Sequence, residues 1–458
     1  MTSTGEADGT SGTDSAERRT AAGAPGEPPS GPPPGQPPER RTSWRLIGPG
    51  IVAAATGVGA GDLVATLVAG GRFGHTLLWA AVVGCLVKIA LAEATGRWHL
   101  ATGRTIFDGW RGLGAWTTGY FAVYVVVWGF VYGAAAMSSS ALPLVALFPG
   151  SLSLRTWAIL CGLAGLACVW FNRYAVIEKI MMVFVGVMFV IVVYVAVRAA
   201  PDLGATFAGL LPVLPDGSLV YTLGLVGGVG GTITMAAYGY WINAKGWTDS
   251  GWMRMMRLDN RVAYLTTGVF VVAMLIVGAE LLHATNAAVG SGGQGLVDLG
   301  GVLEDRFGTV TAKLFLVGFF AASFSSIVGV WHGVSLLFAD FVERTRAARA
   351  QGTGSEPPVL EIARGRRERS RPFRGYLLWL TFPPMGLLWL DEPVGLVIAY
   401  GVLGAFFMPF LAGTLLWLLN SDRTPRAWRN GPVSNVSLAV AGLLFVVLCV
   451  QELRELPW

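Results

Sequence analysis

The sequence predicts an all-α polytopic membrane protein, and three observations lead to this fold class. Hydrophobic residues make up 53% of the 458 residues and charged residues only 13%, whereas soluble domains carry about 25% charged residues. Apolar runs of about 20 residues, each long enough to cross a bilayer, recur along the chain. Two of these runs are interrupted by glycine clusters, which predict helices that break at membrane depth. The composition excludes a soluble enzyme, and the net charge of +5 is not interpreted as affinity for nucleic acid.

The chain divides into a polar tail and a membrane domain. Residues 1–43 contain no apolar run and are rich in Pro, Gly, Ser and Thr, so we expect a disordered cytoplasmic tail. Residues 44–452 are expected to form an eleven-helix transmembrane domain. The approximate limits of its spans are 45–70, 75–98, 115–142, 155–171, 175–198, 219–245, 260–283, 308–341, 373–391, 393–419 and 433–452.

The distribution of positive charge predicts the orientation. If the N-terminus is inside, most arginines and lysines fall in inner segments and few fall in outer segments. The positive-inside rule therefore predicts a multi-pass plasma-membrane protein with a cytoplasmic N-terminus, and the odd number of spans predicts an extracytoplasmic C-terminus. The basic cytoplasmic loop 342–372 is interpreted as part of this signal, with binding of anionic lipid headgroups as the alternative.

The first span carries the first glycine cluster. Gly59 and Gly61 interrupt the apolar run, and Asp62 follows them directly. Lipid cannot hydrogen-bond an open backbone, so such a break must face protein or a cavity. A charge at this depth is costly, which makes Asp62 a candidate functional residue. Capping of the next half-helix is the alternative role for this carboxylate.

The sixth span carries the second cluster, with five glycines between positions 224 and 231. Thr232, Thr234 and Met235 follow it. Close helix packing is an alternative explanation for glycines in a membrane helix. The two breaks lie five spans apart, which is the spacing of an inverted-topology repeat with a central binding site. We therefore expect repeat one at about 45–198, repeat two at about 219–419, and an extra helix at about 433–452.

The residues around the two breaks predict a metal-ion site. Asp62 offers a carboxylate, Met235 offers a thioether, and unwound backbone at Thr56 and Thr232 offers carbonyl oxygens. Oxygen and sulfur together favour a transition-metal ion over calcium or magnesium. Packing in the core is the alternative role for Met235. The residues expected to line the pathway are Gly59, Gly61, Thr234 and Tyr238.

Other buried polar groups are interpreted without a transport role. Lys88 is expected to pair with Glu93, roughly one turn further along the same span. His332 is interpreted as a core histidine with satisfied hydrogen bonds, and a proton-sensitive group is the alternative. The third span has no Asp or Glu, so no acidic proton path is expected through it.

Several segments resemble the natural-resistance-associated macrophage protein (Nramp) family of divalent metal transporters. The resemblance covers most of the chain after the tail and implies a leucine-transporter-like fold of ten helices in two inverted repeats plus one. It also implies divalent cation transport, with the cation as substrate and no cofactor. Membrane lipid is the expected surrounding partner, and no obligate protein partner is expected. The segments are Ala69-Gly-Gly-Arg-Phe-Gly-His-Thr-Leu-Leu-Trp79, Leu100-Ala-Thr-Gly103, residues 318–329 and Met408-Pro-Phe410.

The chain departs from this family where the chemistry is expected. The family's Asp-Pro-Gly-Asn in the first break aligns with residues 59–62, so its first ligand is lost and a carboxylate replaces its amide. The family's Met-Pro-His becomes Met235-Ala-Ala, which keeps the methionine and loses a histidine linked to proton movement. Its third-span acids are absent. Tyr400 lies near the position of its tenth-span glutamine ligand and is expected to line the pathway.

These departures predict divalent metal import with weak or absent proton coupling. Manganese or iron is favoured because Met235 is kept, and magnesium is an option because divergent relatives of the family carry it. The alternative function is sodium-coupled symport of a small organic solute on the same fold. The carboxylate of Asp62 argues against that alternative, because it would repel a substrate carboxylate. No catalytic motif is evident, so we expect a transporter and not an enzyme.

Overall fold

The computed structural model describes residues 40–455 except 60–62, 172–173, 229, 284–293, 352–367 and 369. No β-strand occurs within these ranges. Their α-helices, in chain order, are α1 Pro49–Val58, α2 Ala65–Phe73, α3 Leu78–Thr102, α4 Ile106–Leu113, α5 Ala115–Leu147, α6 Leu154–Phe171, α7 Tyr174–Arg198, α8 Leu203–Ala208, α9 Leu219–Gly228, α10 Thr234–Lys245, α11 Met253–Gly278, α12 Gln294–Phe307, α13 Thr309–Gln351, α14 Arg371–Thr381, α15 Pro393–Asn420 and α16 Pro432–Glu455.

Each of the eleven expected spans coincides with helix in the described ranges. Eight of these helices are long and apolar enough to cross a membrane, namely α3, α5, α6, α7, α11, α13, α15 and α16. The 25 residues of α3 extend about 37 Å at 1.5 Å per residue, which exceeds a hydrocarbon core of about 30 Å. The other three spans are divided: the first into α1 and α2, the sixth into α9 and α10, and the ninth into α14 and the 3₁₀ segment Pro383–Leu390.

In spans one and six, the first half-helix ends at a glycine. Helix α1 begins at Pro49, whose fixed φ suits a first helical turn, and ends at Val58 because Gly59 leaves the helical region with ψ of −101°. After α9, Gly230 and Gly231 have φ of +67° and +90°. Only glycine adopts such angles readily, so the second glycine cluster ends one half-helix before α10 begins.

A buried carboxylate holds the start of α1. Asp259 of α11 accepts hydrogen bonds from the backbone N–H groups of Gly48 at 2.8 Å and Gly50 at 2.6 Å. It also accepts one from the Tyr238 hydroxyl of α10 at 2.9 Å. An anion is stabilised at a helix N-terminus because the first N–H groups have no partner within the helix. Asp259 therefore fixes α1 against both α10 and α11.

The half-helices lie inside the bundle and the long helices surround them. Helix α1 packs against α10, α11 and α13, and α9 packs against α3 and α15. The outer helices α6, α7 and α16 have a much smaller buried share, and their outward side chains include large apolar residues such as Val183, Val190 and Leu443. A continuous apolar exterior is typical of a surface that contacts membrane lipid.

Two expectations about buried polar groups have different outcomes. Glu93 accepts hydrogen bonds from Arg97 at 3.1 Å and Arg257 at 2.9 Å, so the expected pair with Lys88 is wrong: Glu93 faces the arginines at the end of α3. His332 is buried, accepts at Nδ1 from the Trp241 indole N–H at 3.2 Å, and has Nε2 3.2 Å from Glu368. Both ring nitrogens are engaged, as expected for a core histidine.

Candidate functional site

The two helix breaks touch each other at glycines. A Cβ atom on Gly57 would collide with the backbone of Gly230 and Gly231. A Cβ on Gly231 would lie 2.7 Å from the Thr56 hydroxyl oxygen and 2.6 Å from that of Thr234. Because any side chain would separate the two backbones, glycine is required for this close approach. The first and second breaks therefore form one crossing, which we call the break crossing.

A pair of hydroxyl groups joins the half-helices at the break crossing. The hydroxyl oxygens of Thr56 and Thr234 lie 2.7 Å apart, and both side chains are buried. The Thr56 hydroxyl also donates to the carbonyl of Ala53 at 2.6 Å. A hydroxyl has one hydrogen to donate, so Thr234 donates within the pair. These oxygens have lone pairs that could coordinate a cation.

The expected ligand carbonyl of Thr56 is held by a neighbouring helix. The Ser326 hydroxyl of α13 donates to this carbonyl, and the Tyr132 hydroxyl of α5 lies 2.9 Å from the Ser326 oxygen. A carbonyl has two lone pairs, so one hydrogen bond still leaves an acceptor position. A Cβ on Gly59 would collide with Ser326, which places the end of α1 directly against α13.

Thr232 and Met235 belong to the second break and follow Gly231 in the chain. The Thr232 hydroxyl is buried and has no hydrogen-bond partner among the described residues. Its carbonyl accepts from the Met235 N–H at 3.1 Å, and Met235 itself is fully buried. A buried hydroxyl without a partner costs about 1–3 kcal/mol. The Thr232 oxygen is therefore the kind of group that a bound cation would satisfy.

A lysine occupies the end of α9, and sequence reasoning did not find this contact. The Lys88 ammonium of α3 donates to the Gly227 carbonyl at 2.9 Å and to the carbonyl of Gly231. Lys88 is fully buried. The carbonyl end of a helix carries partial negative charge, so an ammonium is stabilised there. The only signal in the sequence is a lysine deep within an apolar run.

The remaining expected site residues fall in three places. Tyr238 donates to Asp259 and so contacts the start of α1 instead of the hydroxyl pair. Tyr400 packs edge-on against Tyr132, with ring centroids 5.0 Å apart, next to the contacts that hold Thr56. Asp62 and Gly61 lie outside the described residues.

The described side chains alone do not form a conventional metal centre. No group of three or more His, Cys, Asp or Glu residues close enough to hold a metal occurs in the described part of the chain. A cation at the break crossing would therefore depend on hydroxyl, carbonyl and thioether groups from these residues. Such a set matches a transported ion that must leave again, because it lacks the chelating ligands of a permanent site.

Comparisons with known proteins give one family. A profile of the natural resistance-associated macrophage protein-like family matches residues 50–454. The divalent metal cation transporter MntH of Chromohalobacter salexigens is 28% identical over 265 residues, covering 54% of this chain and 59% of that relative. MntH of Mycobacterium leprae is 26% identical over 325 residues, covering 65% of this chain and 71% of that relative. The match thus spans less than two thirds of the first relative's length.

Solved structures give the same architecture. The manganese transporter of Eremococcus coleocola matches with a TM-score of 0.70 at 16% identity, covering 92% of this chain and 91% of that chain. The structure of MhsT in complex with L-phenylalanine matches with a TM-score of 0.56 at 16% identity, covering 90% of this chain and 99% of that chain. At these identities the likeness shows the fold alone, and it confirms the predicted leucine-transporter-like architecture.

Proposed function

The chain belongs to the natural resistance-associated macrophage protein-like family, and from this premise we propose that it transports a divalent metal cation across the membrane. Members of the family are transporters and not enzymes, which confirms the expectation that the chain has no catalytic role. The observation that carries the proposal is the break crossing, where Thr56 and Thr234 join two half-helices from opposite halves of the chain. The relatives named as divalent metal cation transporters support it.

The electrostatics of the break crossing favour a cation. Helices α1 and α9 both end there, at Val58 and Gly228, so two negative helix ends converge. Lys88 already neutralises the end of α9. The end of α1 is the position where a second positive charge would be stabilised.

The ligands in this proposal are Asp62, Met235, Thr56 and Thr232. Asp62 follows the end of α1 in the sequence and brings the negative charge that a divalent ion needs. Met235 is buried at the first turn of α10, and its sulfur favours manganese or iron over magnesium and calcium. Magnesium remains within the proposal because oxygen donors outnumber sulfur. The transported cation is the substrate, and neither a resident cofactor nor an obligate protein partner is included.

We further propose that transport is weakly coupled to protons or uncoupled. The sequence of α5 contains no Asp or Glu, and Ala236 and Ala237 follow Met235 without a histidine. Two buried acids that contact α10, Asp259 and Asp340, already accept hydrogen bonds. Asp259 binds the start of α1, and Asp340 accepts from Tyr240 at 2.5 Å. These observations support a site whose neighbouring buried acids, among the described residues, already accept hydrogen bonds.

The proposed location is the plasma membrane, with a cytoplasmic N-terminus and an extracytoplasmic C-terminus. The support is the concentration of Arg and Lys in alternate connecting segments. Epitope tags at the two termini, probed in intact and in permeabilised cells, test this orientation.

Uptake by purified protein in liposomes tests the function directly. The protein is reconstituted and given Mn²⁺, Fe²⁺, Mg²⁺ or Ca²⁺ outside, with metal-sensitive dyes inside. The proposal expects uptake of Mn²⁺ or Fe²⁺ above that of protein-free liposomes, without a sodium gradient. Uptake of an amino acid or another organic solute driven by sodium, with no metal uptake, would favour the symporter alternative.

A further inference from the structure

Two adjacent cavities lie along α3 and α11. An apolar groove of about 420 Å³ runs between α3, α7 and α11, with Val193, Tyr264 and Ile276 in its wall. A second cavity of about 670 Å³ lies between α3, the first half of α11 and the start of α16, with four arginines in its wall. We call the second cavity the basic pocket. Leu86 and Ile89 line both cavities, so the apolar groove and the basic pocket are adjacent along α3.

The basic pocket carries excess positive charge. Its arginines are Arg97, Arg257, Arg261 and Arg429. Two carboxylates lie against them: Glu93 accepts from Arg97 and Arg257, and Asp422 accepts from Arg429 at 2.7 Å. Four guanidinium groups thus face two carboxylates, and Arg261 is exposed at the pocket wall. The charge complement of the pocket is an anion.

A buried amide in the basic pocket indicates the rest of the ligand. Asn260 is 1% exposed and lines the pocket. Its Nδ2 donates to the Ile89 carbonyl at 2.9 Å, whereas its Oδ1 has no hydrogen-bond partner among the described residues. A buried acceptor without a donor costs about 1–3 kcal/mol. A ligand with a hydrogen-bond donor beside its anionic group would satisfy this oxygen.

We propose that the two adjacent cavities bind one anionic phospholipid whose headgroup carries a hydroxyl, as in phosphatidylglycerol. Arg257 and Arg261 hold the phosphate, because guanidinium groups match its geometry. The headgroup hydroxyl donates to Oδ1 of Asn260. An acyl chain fills the apolar groove. Basic pockets between membrane helices are suited to such headgroups. A zwitterionic lipid would place its own cation among the arginines and binds more weakly.

The dimensions of the groove agree with an acyl chain. Fifteen residues of α11 separate Arg261 from Ile276, a rise of about 22 Å. A single leaflet occupies about half of the 30 Å hydrocarbon core, so the groove accepts the full depth of one chain. The remaining lining residues are apolar, as a buried chain requires.

The bound lipid would lie one side chain away from the break crossing. Tyr264 lines the apolar groove, and its hydroxyl donates to the Gly230 carbonyl at 3.2 Å. A Cβ on Gly230 would meet the Tyr264 ring at 2.6 Å. An acyl chain packed on Tyr264 would therefore hold this ring against the second break. The binding site itself does not depend on which ion is transported.

Lipid binding to the purified full chain tests the proposal. The protein is delipidated in detergent, and phosphatidylglycerol, phosphatidylethanolamine or phosphatidylcholine of equal chain length is added. Bound lipid is counted by native mass spectrometry. The expected result is one tightly held phosphatidylglycerol, which inorganic phosphate does not displace. Equal retention of all three lipids, or displacement by inorganic phosphate alone, would overturn the proposal.

Two variants with matched controls locate the site. Arg261→Gln is expected to weaken phosphatidylglycerol binding about fivefold, the equivalent of about 1 kcal/mol for one basic residue. Arg346→Gln, an exposed arginine of α13 outside the pocket, is expected to bind as the wild type. Val269→Trp fills the groove and is expected to abolish retention, whereas Val190→Trp on the outer face of α7 is not. Wild-type binding by Arg261→Gln and Val269→Trp would refute the assignment.

Thermal unfolding distinguishes lost binding from lost folding. Arg261 and Val269 are exposed side chains, so each variant should unfold without lipid at the wild-type temperature. If Val269→Trp does not fold, Arg261→Gln alone tests the lipid site, because Arg261 is exposed and its replacement does not disturb the packed core. Added phosphatidylglycerol should raise the unfolding temperature of the wild type more than that of Arg261→Gln. An equal rise in both proteins would count against the basic pocket.

Discussion

The hydroxyl oxygens of Thr56 and Thr234 lie 2.7 Å apart, although 178 residues separate them in the chain. This bond joins the last turn of α1 to the first turn of α10. Helix α1 ends and α10 begins close to the glycines that allow the two backbones to touch. The contact therefore links the two halves of the chain at the point where both of their broken helices expose backbone groups.

Removal of either hydroxyl should impair transport more than stability. Both Thr56→Val and Thr234→Val keep the side-chain volume and lose the bond between the two hydroxyls, which costs about 1 kcal/mol. Thr56→Val also loses the bond to the Ala53 carbonyl. We expect metal uptake to fall sharply in both single variants. The loss of stability in the double variant should be smaller than the sum of the two single losses, because both changes remove the same contact. Thr381→Val is the control, since its buried hydroxyl bonds only within α14 at 2.9 Å. Loss of uptake in Thr381→Val to the same degree would argue against a specific role for the pair.

A single methyl group at the break crossing should separate the half-helices. In Gly57→Ala the new Cβ would collide with the backbone at Gly231, so the helices must shift. We expect a loss of about 3 kcal/mol or more in the free energy of unfolding, because moving two packed backbone segments apart is energetically costly. Gly413→Ala in α15 meets no atom within 4 Å and should be neutral or slightly stabilising. Thermal unfolding of both variants checks this, and wild-type stability of Gly57→Ala would contradict the close approach.

The charge of Lys88 should weaken metal binding. Lys88→Met removes a positive charge near the proposed site and leaves the Gly227 carbonyl without this donor. We expect the KM for Mn²⁺ uptake to fall on the order of tenfold, which corresponds to about 1.4 kcal/mol of relieved repulsion. The free energy of unfolding should also fall, because carbonyl groups lose a charged donor. Lys88→Arg keeps the charge and should keep the wild-type KM. An unchanged KM in Lys88→Met would show that the ammonium does not repel the transported ion.

Metal uptake should occur without matching proton entry. Liposomes that contain a pH dye and a metal dye report both ions in one experiment. The absence of acids on α5 and the engaged state of Asp259 and Asp340 lead us to expect metal uptake with little internal acidification. One proton or more entering per metal ion, at a rate that follows the metal, would refute weak coupling.

Much of the fold could be predicted from sequence because its signals are local. Apolar runs set the spans, and glycine clusters mark both breaks within a few residues. The partners of buried polar groups could not be predicted, since they depend on which helices pack together. Lys88 faces α9 instead of Glu93, and Tyr238 reaches Asp259 on α11. Both are contacts between different helices, 139 residues apart for Lys88 and Gly227 and 21 residues apart for Tyr238 and Asp259, and no helical periodicity encodes them.

The most direct test of the central claim is Mn²⁺, Fe²⁺ and Mg²⁺ uptake by Asp62→Ala and Met235→Ala beside the wild type. Asp62→Ala should abolish uptake of all three ions, because a divalent cation then lacks its balancing charge. Met235→Ala should lose Mn²⁺ and Fe²⁺ uptake relative to Mg²⁺ uptake. Met188 is a buried methionine of α7, and Met188→Ala should keep the wild-type order of uptake rates among the three ions. Mn²⁺ uptake at the wild-type rate by Asp62→Ala would contradict a cation site at the break crossing.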